Sequence, residues 1–173
     1  KIADFYRRGM YVPKDEKIAH QWEMMSSRQG HKPARIQVAD DLLNGFGCKQ
    51  SAAGALEIYK EYAQRNDVYC INRIIELAEV SDVKERIAAI PYIAQLAQFG
   101  NEEMILKLSD AFQYGEYGLP KDIVQQKEWI RQGADNGNPR FVKAMAELCD
   151  ANNDWEEAYQ WYKKLAEVSP GTV

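Results

Sequence analysis

The chain has 173 residues, 46% of them hydrophobic, with 22 Lys and Arg against 26 Asp and Glu. That is enough apolar material for one domain or one continuous array, while a net charge of -4 argues against a nucleic-acid partner, whose phosphates are held by clustered Lys and Arg. No apolar run approaches the roughly 18 residues of a membrane span, and Lys1 opens in what reads as mid-helix rather than in a charged-then-apolar leader.

Taken in order, the chain divides into five units at about residues 1–30, 31–66, 67–100, 101–137 and 138–169. The first places Ile2, Ala3 and Tyr6 on one helix face at i, i+1 and i+4, then passes GMYVPKD into a second helix anchored by Trp22 and closed by Gly30. Because it enters partway along its first helix, a piece of a longer array is expected. The second unit repeats the set as Val38, Ala39 and Leu42, predicting helices over 33–44 and 52–65, with Gly45-Phe46-Gly47 as the turn, Ile58 as anchor and Asn66 as closure. The third is predicted over 68–80 and 84–98, anchored by Tyr92 and closed by Gly100. Pro91 lies directly before that anchor, where it removes a helix hydrogen bond and crowds the preceding turn. A kink or a late helix start is expected, read either as a tolerated irregularity or as a change of superhelix curvature between two halves. The fourth unit, over 101–115 and 122–136, carries Leu108, Ser109, Phe112, Trp129 and Gly137, and the fifth, over 138–151 and 154–168, carries Ala146, Trp161 and Ser169.

The period of roughly 35 residues is that of helix-turn-helix repeats. Small residues at Ala3, Ala39, Ser109 and Ala146 let the helices of a hairpin approach, and Ala19, Ala55, Ala89, Gln126 and Ala158 stand three places before each anchor. Neither helix buries its face alone, so stacked hairpins supply the core. Trp129 and Trp161 are expected to be largely buried at the junctions. Gly30, Asn66, Gly100, Gly137 and Ser169 suit left-handed helix ends, and Pro33 and Pro139 suit first turns.

These units resemble Sel-one-like repeats, relatives of the tetratricopeptide repeat with a glycine-containing loop between the helices. Tyr6, Gly9, Val12, Asp15, Ala19, Trp22 and Gly30 match the pattern, and Phe112, Gly115, Gly118, Leu119, Asp122, Trp129 and Gly137 match it again with one inserted loop residue. Unit two keeps Gly45-Phe46-Gly47 but lacks the tryptophan, and units three and five have shortened loops. The resemblance covers essentially the whole chain and implies an all-α fold: an α-α superhelix, or right-handed solenoid, of about five helix-turn-helix repeats.

Little in the sequence reads as chemistry. Cys48, Cys70 and Cys149 form neither a C-x-x-C spacing nor an even framework, which leaves three small buried hydrophobes or a Cys48–Cys70 pair across neighbouring helices. His20 and His31 read as surface residues. No nucleophile elbow, zinc helix or phosphate loop occurs, and no cofactor, metal or catalytic residue is expected.

One position does repeat in charge. The residue after each small contact residue is Asp4, Asp40, Glu76, Asp110 and Glu147. This is either a solvated helix face or a negative ladder in the concave groove, aimed at basic groups of a protein or peptide. Tyr69, Asn72, Gln113 and Tyr114 project onto the same face and are expected to flank the acids. The expected role is a non-enzymatic interaction scaffold. A passive spacer within a larger machine is the alternative, and a β-lactam-binding enzyme is the more distant one, since the relatives with that activity carry paired cysteines in each repeat. The family resemblance implies bacterial envelope, secretion or exopolysaccharide assemblies, with a periplasmic or outer-membrane setting.

Overall fold

The computed structural model describes residues 1–169. Among these it forms α1 (Ile2–Arg8), α2 (Glu16–Arg28), α3 (Lys32–Asn44), α4 (Ala52–Ala63), α5 (Val68–Glu79), α6 (Val83–Gln98), α7 (Glu102–Tyr114), α8 (Ile123–Asp135), α9 (Pro139–Ala151) and α10 (Trp155–Val168). The predicted boundaries hold to within two residues, and most of the starts carry their own cap. Asp15 accepts from the Ile18 amide at 2.9 Å, Ser51 from Gly54 at 3.1 Å and Asn138 from Arg140 at 3.0 Å, each satisfying a donor that the first turn leaves free. Gly30, Asn66, Gly100 and Gly137 take positive φ, as expected. Ser169 does not: its φ is -141, because α10 ends in an extended residue and not in a left-handed turn.

The helices fall into two compact units, Lys1–Glu76 and the residues from Leu77 onward. In the first, α1, α2, α3 and α4 pack consecutively, short connections leaving antiparallel neighbours as the reachable arrangement. Ala3, Ala19, Ala39 and Ala55 are all buried, so the small residues do mark close helix approaches.

The same unit holds a buried ionic cluster that reading by residue type misses. Asp41 is 1% exposed. The Arg7 Nη2 donates to its two carboxylate oxygens at 2.8 and 3.0 Å, Gln37 Nε2 donates at 3.2 Å, and His20 Nδ1 lies at 3.0 Å. The guanidinium also sits 4.2 Å from the centre of the Phe46 ring. His20 is therefore no surface residue: its helix face turns inward onto Asp41. His31 remains exposed, but its ring caps α3 through the Ala34 amide at 3.3 Å. Nearby Glu23 is pushed above the usual carboxylate range by burial, with Arg7 opposing and Asp41 adding to the shift. Cys70 is buried whereas Cys48 is only partly so, its thiol donating to the Asp41 carbonyl at 3.5 Å.

In the second unit α6 through α10 pack consecutively around Ile93, Leu96, Ile105, Leu108, Phe141 and Met145. Helix α6 begins at Val83 and runs past Pro91, so there is no late start. Pro91 is exposed, which places the missing amide hydrogen bond on the solvent side, where its cost is least. Trp129 and Trp161 are half-buried, less than expected. Trp161 is wet on one side for a polar reason: its indole N–H donates to Glu157 at 3.4 Å and the Lys164 ammonium lies 4.6 Å from its ring.

Gly133 marks a close approach of α8 to α9. A Cβ there would fall 2.5 Å from the fully buried Phe141 ring. Gly133→Ala is expected to destabilise this unit by about 1–3 kcal/mol, the usual cost of overpacking, although alanine is the better helix former by about 1 kcal/mol. Thermal denaturation checks it: an unchanged or raised Tm would mean that the ring moves aside without cost.

Candidate partner-binding surface

Each first helix of a hairpin carries the same local design. The residue before the acid, Ala3, Ala39, Ile75, Ser109 or Ala146, is buried. One residue further rotates the side chain by about 100° around an α-helix, out of the hairpin contact. None of Asp4, Asp40, Glu76, Asp110 and Glu147 is buried.

In the first unit, three of these acids already have partners. Asp4 pairs with Arg8 at 2.8 Å along α1, and Glu76 with Arg73 at 2.5 Å along α5. Asp40 accepts from the Tyr59 hydroxyl at 2.6 Å and from the Tyr69 hydroxyl at 2.9 Å. Tyr59 in turn contacts Arg73, so Asp40, Tyr59, Tyr69, Arg73 and Glu76 form one connected polar network on α3, α4 and α5. Burial, followed by the hydrogen bond to Asp40, pushes the Tyr69 hydroxyl up to about 12 and holds that of Tyr59 still higher. Both phenols therefore stay protonated as donors to Asp40 throughout the neutral range. Asn72 is partly buried on α5.

The second unit presents Asp110 and Glu147. Asp110 is exposed on α7, lines a cleft with Glu103, Lys107, Glu116 and Tyr117, and is raised above the ordinary carboxylate range by burial and then by Glu116. Gln113 and Tyr114 stand exposed at the end of the same helix. Glu147 faces Lys143 at 3.6 Å on α9.

Two members of the network, Tyr59 and Arg73, were not anticipated from sequence. The signal for Arg73 was present, a cation three residues before Glu76 on one helix. Tyr59 carried none, being one more apolar position of α4. Among the described residues no cluster of His, Cys, Asp or Glu is suited to hold a metal, and no helix is long and apolar enough to cross a membrane.

Hairpins of this length, loop geometry and small-residue packing define an all-α helical repeat protein of the solenoid class. Comparison with solved structures specifies the repeat. The chain is similar to a protective antigen present in uropathogenic Escherichia coli strains displaying an SLR fold, with 20% identity, a TM-score of 0.53 and coverage of 96% of this chain and 37% of that one. It is also similar to a Sel1 repeat protein from Oxalobacter formigenes, with 21% identity, a TM-score of 0.53 and coverage of 97% of this chain and 71% of that one. The chain thus has the Sel-one-like repeat fold, and spans little more than a third of the antigen's length. No family model matches the sequence, and no curated protein matches it.

Proposed function

We propose that the chain is a non-enzymatic scaffold, a single array of five hairpins that holds a basic protein or peptide in an acidic concave groove. The observation that carries this reading is the recurrence of an acid that is not buried, directly after a buried contact residue, in all five hairpins. Tyr69, 47% exposed, and Tyr114, 59% exposed, supply aromatic surface beside the acids, with Asn72 and Gln113 as amide partners. Phenols that remain protonated donate to the Asp40 carboxylate and orient it, as a partner's Lys or Arg requires. The fold, shared with bacterial repeat proteins of which one is a protective antigen, supports a place in an envelope, secretion or exopolysaccharide assembly.

A second reading, a passive spacer, is favoured by one observation: Asp4, Glu76 and Glu147 are already paired with cations on their own helices. The two readings part in one experiment. Lys- and Arg-rich peptides are passed over the immobilised chain and over the triple variant Asp40→Asn, Glu76→Gln, Asp110→Asn. A scaffold retains the peptides, loses them in the variant, and releases them as salt rises, since screening acts within about 10 Å at 0.1 M. Equal retention by parent and variant at low salt overturns the scaffold reading.

A further inference from the structure

Three of the recurring acids are paired with a cation on their own helix, but the cations are held differently. Arg8 beside Asp4 and Lys143 beside Glu147 keep 65% and 61% of their side chains exposed, so water solvates them whether or not the pair forms. Arg73 beside Glu76 keeps only 26%. Its Nη1 donates to Glu76 at 2.5 Å, and the guanidinium also donates to the Tyr59 hydroxyl, which donates onward to Asp40 at 2.6 Å. One cation thus serves two acids of the series, Glu76 directly and Asp40 through a phenol.

The fit fails at one atom. Arg73 Nε is buried and has no hydrogen-bond acceptor, the one such side-chain atom among the described residues. A guanidinium is a rigid fork of donors with no acceptor of its own, and a buried donor left without a partner offsets much of what the neighbouring bonds contribute. Turned out into water, the same Nε is solvated. Arg73 therefore fills the position of a bound cation without completing the hydrogen bonds of that position.

We infer, taking the acids as the partner-binding groove proposed above, that Arg73 is a displaceable internal occupant of that groove, holding the place of an arginine side chain of the partner and swinging into solvent when that arginine arrives. Displacement exchanges one guanidinium for another on Glu76 and Tyr59, so the acid stays neutralised. It also hydrates the donor that is stranded in the free chain. A carboxylate and a hydroxyl oxygen standing as two acceptors for one planar fork suit a guanidinium better than an ammonium, which is a compact point charge without fixed geometry. Arg73 is then a specificity-determining residue, because only a cation that replaces both of its bonds removes it.

Hexa-arginine and hexalysine peptides are titrated at low salt into the parent chain and into Arg73→Met, which keeps an unbranched stem but lacks the charge and the stranded donor. Circular dichroism and urea denaturation verify its fold. The variant should bind hexa-arginine about two- to fivefold more tightly than the parent does, the worth of one partly exposed ion pair that no longer has to be displaced, and hexalysine should gain less. If Arg73 only holds Tyr59 and Asp40 in place, its loss moves affinity the other way, so weaker or unchanged binding by the variant overturns the inference. An equal gain for the two peptides overturns it too, since a more negative surface alone would produce that. The parent chain offers a second measurement that needs no variant. On saturation with hexa-arginine, exchange of the Arg73 Nε–H with water, followed by heteronuclear NMR, should speed up severalfold; an unchanged rate means that Arg73 stays lodged and overturns its displacement. Peptide binding that is lost in the triple variant Asp40→Asn, Glu76→Gln, Asp110→Asn but unaltered in Arg73→Met would overturn this inference and leave the scaffold reading intact. Failure of both peptides to bind parent and Arg73→Met alike would overturn both.

Discussion

Arg7→Leu should destabilise the first unit by about 3 kcal/mol, the lower end of the cost of removing one partner from a buried ion pair. The lower end applies because Arg7 retains 22% side-chain exposure and because His20 and Gln37 stay within hydrogen-bond distance of the carboxylate. What remains is an Asp41 charge with 1% of its side chain in contact with water, and a Phe46 ring that has lost the guanidinium stacked on it. Urea denaturation together with amide exchange on α1 to α3 reads the loss where it falls. The double variant Arg7→Leu, Asp41→Leu should recover most of it, since a buried pair replaced by apolar residues of similar size is often neutral. A single-variant loss under about 1 kcal/mol, below the usual worth of one hydrogen bond to a charged group, would mean that the cluster is hydrated and contributes little.

Gly47→Ala should be costly for a different reason, in backbone rather than in charge. The residue has φ +67, and a Cβ built on it falls 2.0 Å from the Glu16 carbonyl oxygen and 2.5 Å from its carbon. The left-handed conformation alone costs an alanine about 1 kcal/mol. Contact with backbone adds more, because the first turn of α2 is held by its Asp15 cap and has no flexible side chain to swing away. A total of about 3 kcal/mol is expected, within the upper range of single substitutions that strain a special backbone position. Gly30→Ala is the control: its φ is +83, yet a Cβ there meets nothing within 4 Å, so it should show the conformational cost alone. If the two variants lose the same stability, the close approach of the Gly47 loop to α2 carries no energy.

These two sites show where reading by pattern succeeds and where it stops. The hairpins were legible because most of their signals are local: an anchor in each second helix, a small residue at most of the close approaches, and a Gly or Asn at the end of the first four units. Helices α3 to α10 follow from signals that operate within a few residues, and the fold class follows from their period. Gly45-Phe46-Gly47 was likewise legible as a turn. That Gly47 must be glycine because α2 runs against it was not, since Glu16 lies far away in the chain.

The candidate surface divides in the same way. Asp40 and Asp41 are neighbours of the same type, and nothing in their types distinguishes them. One step along a helix turns a side chain by about 100°, so Asp40 joins the recurring acids and meets two tyrosine hydroxyls, while Asp41 turns inward to Arg7 and His20. Helical periodicity, the small contact positions and the five acids one residue beyond them were determined by the sequence alone, because they depend on spacing along a single helix. Which acid is buried, which histidine faces it, and which tyrosines and arginine surround Asp40 were decided only when helices distant in the chain were packed together. Burial and charge partnership depend on what fills the space beside a side chain, and that neighbour comes from another helix.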